Sequence, residues 1–277
     1  MSTPPPLTVV ESGGGGLLAY LGEVVEFRDA LYFMVRRDIK VRYAQTVLGF
    51  GWAVLQPFTQ VVIFSVFFGG LAGIKSGSIP YPLFSIAGVV PWTYFSNAAT
   101  GGSASLMGSG SMMSKIYFPR VLMPLTSVGA GFVDFLIGVG LLLGVMGAYG
   151  RTPPASAFLY LPLLALAASL AALGVVVWLA PLGVQYRDVR YVVPFFIQMF
   201  MFITPVIYTT SSVPSSVRPF YALNPMVGVV NGFRSAFLRT GSMPWGALGL
   251  SYAVSATLIV TGLFYFRRVE RVFADIA

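Results

Sequence analysis

Long apolar runs separated by short polar segments fill most of this chain, and their lengths predict its fold. Six runs reach about 17 residues or more, the length at which a helix can cross the ~30 Å hydrocarbon layer of a membrane. The pattern therefore predicts an all-α membrane protein with six transmembrane helices: Phe50–Ile74, Leu83–Met107, Leu125–Tyr149, Leu159–Leu182, Val192–Tyr208 and Trp245–Phe266.

The region before the first run has an amphipathic pattern. From Val24 to Ile39, apolar residues recur every three or four positions with charged residues between them, as in a helix with one apolar face. We expect this helix to lie in the plane of the membrane interface, with its polar face either in solvent or against a cytoplasmic partner. The predicted division of the chain is a disordered tail at 1–20, an amphipathic interface helix at 21–47 and a six-span transmembrane domain at 48–277.

The segment before the last run contains an apolar stretch that is too short to cross a membrane. Met226–Leu238 is apolar apart from an asparagine, an arginine and a serine. These residues predict a re-entrant helical hairpin that begins at the cap residue Asn224 and stops near Gly241. A short helix on the outer surface is the alternative. In either case Arg234 is expected to face water, a headgroup or the anionic part of a substrate, because a charge is costly in hydrocarbon.

The composition excludes most catalytic chemistry. The chain is 56% hydrophobic and 9% charged, with a mean hydropathy of +0.81, whereas soluble domains carry about 25% charged residues. It has no histidine, no cysteine and only nine carboxylates, and it lacks a phosphate-binding glycine loop. The sequence therefore predicts a protein that is not an enzyme and that holds no metal or other cofactor itself.

The net charge of +8 indicates membrane lipids rather than nucleic acid as the partner, because the basic residues flank the apolar runs. With the N-terminus inside, the cytoplasmic segments carry twelve bases: Arg28, Arg36, Arg37, Lys40, Arg42, Lys115, Arg120, Arg187, Arg190, Arg267, Arg268 and Arg271. The other side carries five: Lys75, Arg151, Arg218, Arg234 and Arg239. This asymmetry predicts a multi-pass protein with both termini in the cytoplasm.

Three polar or small-residue features leave their roles open. The loop containing Lys115 and Arg120 is either a docking element for a partner or a topological anchor. Asp134, the one acid within a predicted span, has either a structural hydrogen-bonding role or a role with substrate or protons. The motif Gly140-x-x-x-Gly144 is typical of closely packed membrane helices.

Several short motifs, in order, resemble the membrane subunit of ATP-binding-cassette exporters of bacterial polysaccharides such as O-antigen, capsule and teichoic-acid-type polymers. They are Arg37-Asp-Ile-Lys-Val-Arg-Tyr43 with Leu48-Gly49 and Trp52, Lys115-Ile-Tyr-Phe-Pro-Arg120 with Pro124, Tyr186-Arg-Asp188, Thr204-Pro-Val-Ile-Tyr208, Asn224-Pro225 and Phe233-Arg234. The resemblance implies a homodimer in the bacterial inner membrane. It also implies two separate nucleotide-binding ATPase subunits that carry the ATP and Mg, and a lipid-linked glycan as the substrate.

The resemblance also implies sites for coupling and gating. ATPase coupling is expected at Arg36, Arg37, Lys40, Lys115, Tyr117, Phe118, Pro119 and Arg120, and an outward gate at Pro205, Tyr208, Asn224, Pro225 and Arg234. Aromatic side chains offer flat faces to sugar rings. They suggest a polymer path along Phe58, Phe64, Phe67, Phe68, Phe195, Phe196, Phe200 and Phe202, about half of which we expect to face lipid instead.

Two other classes of transporter share the coarse features. A small-molecule or lipid exporter of the same architecture has the same spans. A proton-coupled secondary transporter needs no ATPase but needs a charged relay, and the spans offer only Asp134 and no evident internal repeat. A membrane-bound glycan enzyme is disfavoured further by the lack of acid–base residues.

Overall fold

The computed structural model describes residues 16–44, 49–74, 76–107 and 118–274, and within these ranges it contains helices and turns but no β-strand. The α-helices are α1 (Leu17–Glu26), α2 (Arg28–Tyr43), α3 (Gly51–Phe64), α4 (Tyr81–Ala104), α5 (Leu122–Ala148), α6 (Ala155–Gln185), α7 (Val189–Phe202), α8 (Arg218–Ala222), α9 (Pro225–Leu238) and α10 (Trp245–Ala274). A π-helical turn, Ser65–Leu71, continues α3. A short 3-10 turn, Thr210–Ser212, lies between α7 and α8.

Helix α4 is the centre of the bundle. It packs against α3, α5, α6, α7 and α9, and most of its residues are buried, including Phe84, Trp92 and Tyr94. Since its neighbours surround it, α4 carries small and polar residues such as Ser85 and Asn97 that a lipid-facing helix would not favour. Because of these residues, the hydrophobic run of α4 in the sequence is less distinct than the runs of its neighbours.

Within the described residues, four helical segments are long and apolar enough to cross a membrane: Gly51–Leu71, Leu122–Ala148, Ala155–Gln185 and Trp245–Glu270. The predicted second span corresponds to α4, which has 24 residues. The predicted fifth span, Val192–Tyr208, is wrong in its bounds. Helix α7 starts at Val189 and ends at Phe202, and the backbone from Ile203 onward forms turns.

The N-terminal helices pack on the bundle. Helix α1 starts at Leu17, so the predicted tail extends too far, and Phe27 separates α1 from α2. The apolar side chains Val24, Phe27 and Leu31 belong to a core cluster with residues of α5, α6 and α10. The apolar face predicted for the interface helix therefore contacts protein.

Helix α9 is inserted among α4, α6 and α10. It starts at Pro225 with Asn224 as its cap, as predicted, and all but two of its 14 residues are buried. It ends at Leu238 because Arg239 takes a left-handed conformation, with φ 54°, so the predicted stop at Gly241 is wrong. The burial of α9 among its neighbours is what a re-entrant helix requires, and it disfavours a helix resting on the surface.

Two glycines allow α9 to approach its neighbours closely. A Cβ on Gly228 would overlap the Ala247 carbonyl oxygen and the Ser251 hydroxyl of α10, and a Cβ on Gly232 would overlap the Leu164 side chain of α6. By contrast, nothing lies within 4 Å of a Cβ built on Gly140 or Gly144. Among the residues that the structure describes, the predicted close packing at that motif is therefore not found.

Candidate functional site

Arg234 is the polar centre of the bundle end formed by the starts of α4, α6 and α10, called here the Arg234 end. Its side chain donates hydrogen bonds to three main-chain carbonyls: Nε to Phe84 (3.3 Å), Nη1 to Tyr208 (3.2 Å) and Nη2 to Val206 (2.6 Å). Its guanidinium carbon also lies 3.6 Å from the centroid of the Phe84 ring. Arg234 is only 3% exposed, so the expectation that it faces water or a headgroup is wrong.

The carbonyls explain why an arginine is buried here. After α7 ends, the chain from Ile203 to Tyr208 is not helical, so its carbonyls need other donors. Arginine supplies five N–H groups in a fixed fork, and Arg234 uses three of them to join α9, α4 and this irregular segment. Burial of the charge is thus offset by main-chain oxygens rather than by a carboxylate.

The other predicted gate residues lie around the same segment. The Asn224 side chain donates to the Thr204 hydroxyl (2.8 Å) and accepts from the Met226 N–H (2.9 Å). The Tyr208 hydroxyl donates to the Phe202 carbonyl (2.9 Å), and Pro205 is buried. The structure therefore brings Pro205, Tyr208, Asn224, Pro225 and Arg234 together, which the sequence implied only by resemblance.

A cavity of about 920 Å³ borders Arg234. Its lining includes a run of hydroxyl and amide side chains, notably Thr209 to Ser212, Asn231 and Ser235. The hydroxyl of Thr210 and the amide of Asn231 lie 2.9 Å apart and hydrogen bond to each other. The Arg234 end therefore combines a tightly bonded helix junction with a polar, hydroxyl-lined space beside it.

A second polar centre, at the opposite end of the bundle, was missed by the sequence reasoning. Here Glu270 accepts hydrogen bonds from the Tyr20 hydroxyl (3.1 Å) and from the Arg120 main-chain N–H (3.2 Å). The Arg267 guanidinium lies 5.2 Å from the centroid of the Tyr20 ring. Burial, and next the Glu270 carboxylate, raises the pKa of Tyr20 above its ordinary value, so Tyr20 remains a neutral donor. We call this the Glu270 end.

The Glu270 end connects three separate parts of the chain, which are α1, α10 and the segment that precedes α5. A signal for it was present in the sequence, because Leu17 and Tyr20 extend the apolar repeat that begins at Val24 back by two positions. The glycines that precede Leu17 concealed this signal and led to the assignment of a tail.

The coupling residues predicted on α2 form an exposed surface. Of these, Arg36 and Lys40 are exposed and form one stripe along the helix together with Tyr32, a residue that was not predicted, because the three are spaced four residues apart. The Arg36 guanidinium lies 5.7 Å from the Tyr32 ring centroid, and Arg37 pairs with Asp38 at 2.9 Å. The stripe of Tyr32, Arg36 and Lys40 is exposed on α2.

The coupling residues predicted in the next loop are divided. Lys115 and Tyr117 lie outside the described residues. Phe118 is 7% exposed and belongs to the core cluster at the Glu270 end, and Pro119 is buried as well. The bundle covers these two side chains in this structure, and their role in coupling to a partner stays a prediction.

Asp134 forms an ion pair with Arg42 and accepts a hydrogen bond from the Tyr43 hydroxyl. The Asp134 side chain is 14% exposed, against 37% for Arg42. The carboxylate thus joins the end of α2 to α5, in line with the structural alternative. Nearby, the Val35 side chain lies 2.9 Å from a Cβ built on Gly129, so α2 and α5 are closely packed along this face.

The predicted aromatic path splits into exposed and packed residues. Phe58 and Phe67 on the first span, and Phe195, Phe196 and Phe202 on α7, are exposed. The others are packed inside: Phe64 is buried, Phe68 packs against the core, and Phe200 lies 6.2 Å from Trp92, measured between ring centroids. The exposed rings form apolar surfaces on α3 and α7, which are both neighbours of α4.

Comparison with known proteins identifies the class to which these features belong. The sequence profile of the ABC-2 type transporter family matches residues 29–238. This match covers most of the chain, from α2 through the whole of α9. The chain belongs to the ABC-2 type transporter family. It is therefore a multi-pass membrane permease, and the polar centres described above are parts of a transport subunit.

Curated relatives match over nearly their full lengths. The ABC-2 permease is 27% identical over 249 residues to the O-antigen export system permease protein RfbA of Klebsiella pneumoniae, covering 90% of this chain and 95% of that protein. It is 27% identical over 259 residues to RfbA of Myxococcus xanthus, covering 92% and 98%. It is 24% identical over 240 residues to the polysialic acid transport protein KpsM of Escherichia coli, covering 84% and 91%.

Proposed function

We propose that this chain is the transmembrane subunit of an exporter that moves lipid-linked polysaccharide across the bacterial inner membrane, driven by a separate ATPase. The observation that carries this proposal is the full-length similarity to permeases named for O-antigen export and polysialic acid transport. Family membership implies an ATP-binding partner, and the chain has no phosphate-binding loop of its own. ATP and Mg are therefore expected on the partner.

The partner is proposed to dock on the stripe of Tyr32, Arg36 and Lys40. These side chains are exposed on α2, which is joined to α5 through Arg42 and Asp134. The preceding helix, α1, is joined to α10 through Tyr20 and Glu270, so a force applied to α2 reaches α5 directly and α10 through α1. The loop that contains Lys115 is the second proposed contact. In this proposal Phe118 and Pro119 hold that loop on the bundle, since they are buried.

The proposed topology has six spans with both termini in the cytoplasm and α9 as a re-entrant element. Four apolar helices support it directly by length. Helix α4 has enough residues to add one crossing to these four, and α7 together with the turns after it would add another, which gives six in total. The charge asymmetry supports the orientation. The Glu270 end is then cytoplasmic, and the Arg234 end faces outward.

Two copies of the chain, each with one ATPase subunit, are proposed to form the transporter. Of the four apolar segments, Gly51–Leu71 is the least buried, with 17% of its most apolar window inside the chain. The exposed aromatic residues of α3 and α7 would then line the polymer path between the two copies. Flat apolar rings offer a sliding sugar chain many weak contacts of similar strength.

The outward gate is proposed at α9 and the segment that leads into it. Helix α9 is tightly packed through Gly228 and Gly232 and bonded through Arg234. A movement of the whole helix would therefore break three hydrogen bonds. The segment from Thr209 to Leu223 is mostly exposed, so we propose that gating begins there and reaches α9 only in the fully open state.

The test is reconstitution with the ATPase, which we expect to be encoded next to this chain. The permease alone should hydrolyse no ATP, whereas the complex should do so and should export polymer in cells. Reversing the charge at Arg36 and Lys40 together should reduce partner pull-down and surface polysaccharide in parallel. The matched control is Arg151→Glu, which reverses an exposed charge between α5 and α6 at the end assigned to the outside.

Three outcomes count against the proposal. Robust ATP hydrolysis by the isolated chain contradicts the assignment of ATP hydrolysis to a separate subunit. Normal surface polysaccharide in cells that lack the chain contradicts the proposal that polysaccharide is its substrate. A purified complex that contains no lipid-linked glycan, and whose ATPase responds to lipids or small amphiphiles only, identifies a small-molecule or lipid exporter of the same architecture.

A further inference from the structure

A second cavity, of about 370 Å³, lies in the middle of the bundle between the end of α2, the first half of α3, and α4 and α5. It is distinct from the exposed phenylalanine surface and from the cavity beside Arg234. Its volume is near the lower end of the range of ~300–1,000 Å³ that is usual for ligand sites. A space of this size accepts a small polar unit rather than the length of a polymer.

The wall of this cavity carries unused hydrogen-bonding groups. Within the described residues, the side-chain amides of Gln56 and Asn97 have no hydrogen-bond partner, and the buried hydroxyl of Thr93 is unsatisfied. Pro57 has no N–H to give to the Ala53 carbonyl, and both residues also line the cavity. Of these three groups the Thr93 hydroxyl is buried, whereas Asn97 is partly exposed and Gln56 is exposed; a buried polar group that lacks a partner is costly. These donors and acceptors therefore favour a polar occupant.

The charge of the wall selects the kind of occupant. Arg42 and Asp134 are the only charged residues among the described lining residues, and they are paired with each other. No unpaired cation remains to bind a phosphate or diphosphate. The cavity therefore suits an uncharged ligand that has many hydroxyl groups.

Aromatic rings complete the pattern. Trp52, which is half exposed, and the rings of Tyr43 and Tyr94 border the same space. Aromatic faces pack well against the C–H faces of sugar rings, while amides and hydroxyls match the ring hydroxyls. The exposed phenylalanines of α3 and α7 lack such polar groups, so they offer contact without recognition.

We propose that this cavity is a recognition site for one or two neutral sugar units of the transported glycan, held by Gln56, Thr93 and Asn97 beside Trp52. This inference rests on the proposed function and adds a specificity site to it. A site within each protomer would allow the permease to select a sugar sequence before or during transport. The aromatic surfaces would then supply the sliding path.

The site can be tested by photo-crosslinking in intact cells that make the polymer and also contain the ATPase. A photoreactive phenylalanine replaces Asn97, or Gln56 in a second variant, because Gln56 is exposed and its replacement disturbs packing less. The control replaces Leu136, an exposed residue two positions from Asp134 on α5. The probe is the cell's own lipid-linked glycan, labelled by growth on radioactive sugar.

We expect carbohydrate captured at position 97 or 56 to exceed that at 136 by about tenfold, the ratio that corresponds to 1.4 kcal/mol of binding preference. The signal should disappear in cells that cannot make the polymer. Capture of phospholipid alone, or of no carbohydrate, in cells that export polymer normally would overturn the site and leave the exporter assignment intact. If cells without this chain still display polymer, the proposed function fails as well.

Discussion

Arg234 offers the sharpest test of the physical account, because Arg234→Ala removes a known set of interactions. Among the described residues, Arg234 is the donor to the carbonyls of Val206 and Tyr208. The Tyr208 carbonyl lies next to a cavity, where water can replace the lost donor. The buried Val206 carbonyl loses its partner, at a cost of about 1–3 kcal/mol. The Phe84 carbonyl loses only a second bond, since it lies within the first turns of α4.

Two further effects set the total. The desolvated cation–π contact with Phe84 contributes about 2 kcal/mol. Removing a charge that no carboxylate neutralises returns part of this loss. The net destabilisation should be about 2–4 kcal/mol. For a chain of this size it corresponds to a fall in the melting temperature of about 4–10 °C.

The assay is thermal unfolding of the detergent-purified permease, followed by the fraction that remains monodisperse after heating. Arg234→Lys should be nearly as unstable as Arg234→Ala, because one ammonium cannot reach three carbonyls in different directions. The control is Arg151→Ala, which removes an exposed arginine and should leave the melting temperature unchanged. If Arg234→Ala and the wild type have the same melting temperature, the guanidinium does not stabilise the Arg234 end. A loss of export without a loss of stability would instead indicate a direct contact with substrate.

Two other predictions concern helix contacts. Asp134→Asn should leave Arg42 without its counter-charge and lower the melting temperature. Arg42→Met combined with Asp134→Leu should recover part of the loss, since an apolar pair can replace an ion pair of which one member is largely buried; a double mutant less stable than Asp134→Asn would contradict this. Gly228→Leu should prevent α9 from packing on α10 and abolish stable expression, while Gly140→Leu should be tolerated within the chain. Expression levels and melting curves of the two glycine variants test this, and equal behaviour would contradict the packing argument.

The positions of the long helices could be predicted from the sequence because burial in lipid or protein requires apolar residues in either case. The start of α9 and its cap at Asn224 followed from local chemistry, since proline and asparagine act on their own backbone. The end of α7 did not follow, because the hydrophobic run continues through Ile203–Tyr208 while the helix stops. The backbone there is held by Arg234, a residue more than 25 positions away in the chain.

The candidate site was predictable in part for the same reason. A resemblance of motifs brought Pro205, Asn224 and Arg234 into one hypothesis, but only coordinates reveal that the arginine bonds to main-chain oxygens. Hydropathy reasoning assumed that a charge near lipid seeks water, whereas carbonyls left by a broken helix are an equally good partner. Similarly, a glycine motif in the sequence does not say which of several glycine pairs faces another helix. Gly228 and Gly232 do so here, and Gly140 and Gly144 do not.

The single non-helical residue Phe27 has a mechanical consequence. Helix α1 is fixed to the bundle through Tyr20 and Glu270, and α2 is fixed through Arg42 and Asp134. Between these attachments the two helices resemble a beam held near both ends, with one break in helical geometry at Phe27, near its first third. A force applied at Arg36 cannot shift the two helices as a unit. It must either bend them at Phe27 or be shared between the two attachments. The share that each attachment receives depends on its distance from Arg36, and the Asp134 attachment is nearer. A stroke of the partner would therefore be felt first in the middle of the bundle.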